Sequence, residues 1–179
     1  MKVARLDVDR AALLVVDIQE AFRAVIPDAD VITARAQILA RAATLLEMPI
    51  IVSEQYPRGL GNTVAELGET LGDAVVLEKT SFSAAKADGF SLAGRDQVVV
   101  CGIETHVCVA QSVLDLLAAE VEVWLACDAL GSRNPDDRAL AIERLGSAGA
   151  ALSSTEAICF ELLVDAKNPH FKEIQALIK

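Results

Sequence analysis

The sequence is poor in residues that several functions require. Histidine occurs only twice in 179 residues, at 106 and 170. No Cys-x-x-Cys pair is present, so a zinc or iron site lacks ligands. Aromatic residues are 4% of the chain, too few for a base-stacking surface, and no basic stripe runs along it. Lysine and arginine number 16 against 26 acidic residues, a net charge of −10. That balance favours solubility and argues against nucleic acid as a partner. No apolar run reaches the about 20 residues that cross a bilayer. Asp7 and Asp9 stand where a signal peptide would carry its apolar stretch. The expectation is a cytoplasmic protein, with no membrane attachment, no metal and no cofactor. Its four cysteines, at 101, 108, 127 and 159, are then reduced thiols rather than a disulfide framework.

What the chain has is apolar sequence, 53% of it, enough for one domain spanning residues 1–179. Short runs at 12–16, 49–52, 74–77, 97–101, 121–126 and 148–152 lack the apolar–polar alternation of half-wet strands. They predict strands buried on both faces, as in parallel sheets. Between them lie segments of helical period at 31–47, 107–120, 136–147 and 155–165. In the first, Val31, Ile38, Leu39, Ala42, Leu45 and Leu46 mark the inner face and Thr33, Gln37, Arg41 and Thr44 the outer. Asn168-Pro169 reads as the start of a last helix, and 53–62, with its breakers, as the longest loop. Strands alternating with helices predict an α/β fold with a doubly wound parallel sheet and helices on both faces. In such sheets ligands bind beyond the carboxyl ends of strands, where the winding reverses.

Three residues at strand ends stand out. Asp17 follows the first run, where a carboxylate needs partners: it caps a turn or pairs with a cation. Lys79 follows the third run, as a surface lysine or as that cation. Cys108 follows the fourth and opens a helix, as a small buried thiol or as a nucleophile. A helix N-terminus lowers a thiol pKa and can hold an oxyanion. Acid, cation and thiol at three strand ends would suit acyl transfer. Cys101 and Cys127 read as strand-end packing and Cys159 as helix packing.

Three ordered segments carry a resemblance: 15–22 (VVDIQEAF), 77–84 (LEKTSFSA) and 100–109 (VCGIETHVCV). Together they resemble the isochorismatase-like cysteine hydrolases, and the loop at 53–61 and the tail at 169–179 resemble the isochorismatase domain-containing proteins among them. The resemblance implies a six-stranded sheet in the order 3-2-1-4-5-6, reversing between the strands that carry Asp17 and Cys108. It implies Cys108 as nucleophile, Asp17 as general base and Lys79 as supporting cation. It also implies a cis peptide between Ile103 and Glu104, with the N–H groups of Glu104 and Cys108 as oxyanion donors. Metal-dependent nicotinamidases of this superfamily carry an Asp-x-His pair after the second strand. Ser53-Glu54-Gln55 stands there instead, so nicotinamidase activity is disfavoured. A retained cysteine points to amide or ester chemistry rather than to vinyl ether cleavage.

The reading is a hydrolase for a small-molecule amide or related acyl substrate. Gln19, Phe22, Tyr56, Phe82, Thr105 and His106 are expected to line its pocket, on position alone. The rivals are a catalytically silent oligomeric or partner-binding protein of this fold, and a thiol redox enzyme with Cys101 as resolving thiol. The apolar helices 107–117 and 158–164 predict self-association, as a homo-oligomer of two or four copies.

Overall fold

The computed structural model of the chain describes residues 5–179. Six strands, β1 (Ala11–Val16), β2 (Ile50–Gln55), β3 (Val75–Lys79), β4 (Gln97–Ile103), β5 (Glu122–Gly131) and β6 (Ala151–Ser153), form one sheet. Every pairing is parallel and the order is β3-β2-β1-β4-β5-β6, as expected. The helices are α1 (Ala29–Leu45), the short α2 (Pro57–Leu60) and α3 (Ala65–Gly68), α4 (Ala110–Ala118), α5 (Pro135–Ser147), α6 (Thr155–Leu163) and α7 (Phe171–Ile178).

Neighbouring residues of one strand enter opposite cores. Leu13 and Val15 of β1 pack with Ala36 and Leu39 of α1, Ile158 and Leu162 of α6 and Ile174 of α7. Leu14 and Val16 pack with Val113 and Leu116 of α4 and Leu145 of α5. Each such Leu or Val contributes about 1.5–3 kcal/mol relative to exposure. Both faces being covered explains why the central runs lack alternation. The edge strands depart from the expectation: Val75 and Val76 of β3 and Leu152 of β6 are exposed.

Other departures have physical reasons. Within α1 the inner face carries Ile32, Thr33, Ala36, Leu39, Ala40 and Ala43. Val31, expected inside, is 54% exposed, and Thr33, expected outside, is 4% exposed. Alanines form much of the contact, so the large apolar residues misjudge the inner stripe. β4 continues past Cys101 to Ile103, and β5 past Cys127 to Gly131, with a register shift opposite Val100–Gly102. Asp128 interrupts the apolar run there without ending the strand. Most of the segment 53–62, expected as a loop, belongs to the end of β2 and to α2. α7 starts at Phe171 rather than Pro169, because the Asn168 side chain accepts from the His170 N–H and closes a turn first.

The helix faces expected to drive self-association are largely covered within the chain. Val109, Val113, Leu116, Ile158, Leu162 and Leu163 are buried, while Val164 and, in part, Phe160 remain exposed. Among the described residues no helix is long and apolar enough to cross a membrane.

Candidate active site

The winding reverses between β1 and β4, and a glycine lets these strands run together to their carboxyl ends. Gly102 pairs with Val16 at φ 134°. A Cβ there would lie 2.1 Å from the Val16 carbonyl oxygen, so no other residue fits. One residue beyond Val16, Asp17 adopts a left-handed backbone, φ 51°. Its N–H donates to the Ser53 carbonyl at 3.0 Å.

The Asp17 carboxylate is fully buried and accepts two side-chain hydrogen bonds. Ser53 Oγ donates to Oδ1 and Lys79 Nζ to Oδ2, each at 2.7 Å. Lys79, the last residue of β3, also donates to Gln55 Oε1 at 2.7 Å and to the Phe82 and Ser81 carbonyls at 3.1 and 3.3 Å. The ammonium is thus surrounded by acceptors, as a buried charge requires. Burial raises the Asp17 carboxyl above the ordinary carboxylate range, opposed by the charge of Lys79 and by the hydrogen bonds from Lys79 and Ser53.

Cys108 sits beside this pair, 6% exposed. The turn that carries it, Thr105–Val109, is π-helical and runs directly into α4, a local widening frequent at functional sites. The expected lowering of its pKa does not occur. Burial first, then the charge of Asp17, push the thiol up to about 12 against the pull of Lys79. The helix N-terminus is outweighed by desolvation and a like charge. At rest the thiol holds its proton, with a carboxylate next to it able to receive it. Cys101 and Cys159 are likewise raised to about 12, chiefly by burial. Cys101 packs on the opposite face of the sheet from Cys108, which removes it as a resolving thiol. Cys127 is half-buried.

The Ile103–Glu104 peptide is cis. The Glu104 side chain accepts from Arg133 N, Nε and Nη2 at 3.1, 2.9 and 3.2 Å. Burial opposes its ionisation, but the hydrogen bonds and charge of Arg133 prevail and hold its carboxyl below the usual range. The turn after β5 is thereby clamped to the peptide that precedes the cysteine turn.

The six expected pocket residues divide. Gln19 is buried, and its amide bonds the Gln55 and Gly61 carbonyls and the Gln55 N–H. Thr105 is buried and donates to the Gly131 carbonyl. Phe22 packs against the core beneath α1. His106 is partly exposed, with Nδ1 3.0 Å from Ser132 Oγ. Tyr56 and Phe82 are exposed, at 55% and 51%. Tyr56 lines a cavity of about 470 Å³ that reaches Lys79, with Arg58, Glu78 and Lys86 also on its wall. Neither Asp17 nor Cys108 is part of that wall.

This arrangement has relatives. The isochorismatase domain model matches residues 11–157. The chain belongs to the isochorismatase family. Isochorismatase domain-containing protein 1 of Salmo salar is 44% identical over 167 residues, covering 91% of this chain and 59% of that protein. Isochorismatase domain-containing protein 2 of Danio rerio is 40% identical over 181 residues, covering 98% and 90%. The chain therefore spans little more than half of the first of these relatives and most of the second. Among solved structures, the MAR1 ribonuclease of Caenorhabditis elegans superposes with a TM-score of 0.92 at 38% identity, covering 98% and 92% of the two chains. YcaC of Pseudomonas aeruginosa, solved with covalent acrylamide, gives 0.89 at 28%, covering 99% and 93%. YcaC of Escherichia coli, described as an octameric hydrolase of unknown specificity, gives 0.86 at 26%, covering 99% and 96%.

In this member of the isochorismatase family, the segment Ser53–Gln55 is bound up with the charged pair. Ser53 holds Asp17, Gln55 holds Lys79, and Glu54 accepts from Asn62 and from the backbone and hydroxyl of Thr63. Sequence reasoning read this segment as the start of a loop and for the metal ligands it lacks, and missed Ser53 and Gln55 as partners of the pair. It also missed Arg133. The signal for Ser53 and Gln55 was present, because alternate residues of one strand share a face and these two end β2, beside β1 and β3.

Proposed function

We propose that this chain is a cysteine hydrolase of small amides or related acyl compounds, working through a thioester on Cys108. The observation that carries the reading is the buried Asp17–Lys79 pair beside the cysteine turn, in the crevice where the sheet reverses. Membership of the isochorismatase family supports hydrolysis. A neighbour that takes covalent acrylamide, an electrophile for thiols, supports a reactive site.

In this mechanism Asp17 accepts the Cys108 proton as sulfur attacks the substrate carbonyl, and the carbonyl oxygen becomes an oxyanion facing the Glu104 and Cys108 N–H groups. The tetrahedral intermediate expels the amine, which takes the proton from Asp17 and leaves a thioester. Water then gives a proton to Asp17 and its hydroxyl to the acyl carbon, and the departing thiolate recovers the proton. Lys79 stays charged throughout and offsets the negative charge shared by Asp17 and sulfur. A carboxyl raised above the carboxylate range is the better proton acceptor.

Screening hydrolysis across a panel of small amides and esters, with an RNA oligonucleotide as contrast, tests the proposal. At least one acyl compound should be turned over, with activity surviving extensive chelation and absent from Cys108→Ala. Hydrolysis of RNA alone, or equal rates from parent and Cys108→Ala, would reject it.

A homo-oligomer is part of the same reading. It rests on the octameric neighbour and on the exposed Val31, Val75, Val76, Phe82, Leu140 and Val164. Light scattering coupled to size exclusion should give a multiple of 19.0 kDa. A mass near one chain would dismiss self-association.

A further inference from the structure

Ser112 occupies a place that packing does not explain. It lies on α4 one helical turn after Cys108 and is fully buried. Its Oγ donates to the Cys108 carbonyl at 2.6 Å, a bond ordinary for a serine within a helix. The same oxygen accepts from the Ala84 N–H at 2.7 Å, and that bond reaches a different segment of the chain. The segment is the loop after Lys79, whose Ser81 and Phe82 carbonyls accept from the ammonium. One hydroxyl therefore ties the turn that presents the thiol to the loop that holds the lysine. Ser112 and Ala84 are both fully buried, so losing the hydroxyl would leave the Ala84 N–H without its partner, at the desolvation cost of a buried donor.

We propose that Ser112 is a positioning residue whose hydroxyl sets Cys108 against Lys79, so that support of the thiolate by the ammonium depends on it. The inference rests on the nucleophile reading above and adds a residue to it. Its readout must separate coupling from mere accessibility, because a loosened turn would expose the sulfur and change its reactivity for another reason.

A double-mutant cycle on Cys108 alkylation by iodoacetamide at pH 8, followed by peptide mass mapping, makes that separation. In the parent background Lys79→Met should slow alkylation about tenfold or more, the effect of one unit of thiol pKa. In Ser112→Ala and Ser112→Val backgrounds that ratio should shrink below about threefold. Ser112→Thr, with the shape of valine and a hydroxyl, should keep it. A ratio unchanged in Ala and Val overturns the role of Ser112 and leaves the nucleophile reading standing. A ratio near one in the parent overturns both. Should the Ala and Val variants fail to fold, hydrogen exchange on the parent decides. The Ala84 amide should exchange at least about 10³-fold slower than an unprotected one, and exchange at the free rate would exclude the bridge.

Discussion

Lys79→Met is expected to lose both stability and activity. Its ammonium is fully enclosed and bonded to Asp17 at 2.7 Å. Methionine fills much of the volume but leaves the Asp17 carboxylate with the Ser53 hydroxyl as its one side-chain hydrogen-bond donor. Breaking a buried ion pair from one side typically costs about 3–5 kcal/mol. The loss should read out in urea unfolding at pH 7. It should also depend on pH, with a definite sign. Asp17 in the folded chain already titrates above its unfolded value, so it binds its proton more tightly when folded. Its contribution to stability is therefore full at low pH and declines as pH rises through the ordinary carboxylate range toward the raised value. Without Lys79 that rise is larger, so the substitution should cost little near pH 4 and most near neutrality. Turnover of any substrate found should fall about 10²-fold. A variant as stable as the parent at pH 7, or within about twofold in rate, would mean that the pair has been given the wrong role.

Asp17→Asn is expected to separate reactivity from catalysis. The carboxylate pushes the Cys108 thiol up while Lys79 pulls it down. Removing the carboxylate leaves the cation facing the sulfur, so the thiolate becomes easier to form. Alkylation of Cys108 at pH 8 should speed up about tenfold or more. Turnover should nevertheless fall about 10²-fold, because no group remains to take the thiol proton or activate water. Cys127, half-buried and away from the pair, serves as internal control within the same digest. Alkylation and turnover falling together would show that Asp17 supports the thiolate, contrary to its position here. A thiol made reactive only by its helix start would show no change in either.

Much of this fold could be read from residue order. Two-sided burial removes alternation from β1, β2 and β4, and that same absence identified them as strands of a parallel sheet. Edge strands betray the limit of the inference: Val75 and Val76 have the composition of a core strand yet stand in solvent. α1 exposes another limit, since a face built largely of alanine cannot be distinguished from its flanks by size. At the site, Asp17, Lys79 and Cys108 were singled out by their places after strands, and the fold brings the first two into contact and sets the third beside them. The thiol's protonation was not legible. It follows from the burial of the sulfur and from the charge of Asp17 beside it, which no local pattern encodes. Ser112 is visible in sequence only as a residue four positions after the cysteine, and its second partner, Ala84, is set by tertiary packing. Gln19 and Thr105 lie in the right segments, but their polar groups are used to hold the backbone.

The central claim is a covalent intermediate on Cys108, and mass spectrometry of protein quenched during turnover tests it most directly. With an amide from the panel at saturating concentration, a fraction of the chain should gain the mass of the acyl group. Peptide mapping should place that mass on Cys108, hydroxylamine should remove it, and it should decay at the rate of turnover once substrate is exhausted. Full turnover with no such adduct, together with an undiminished rate in Cys108→Ala, would contradict the account.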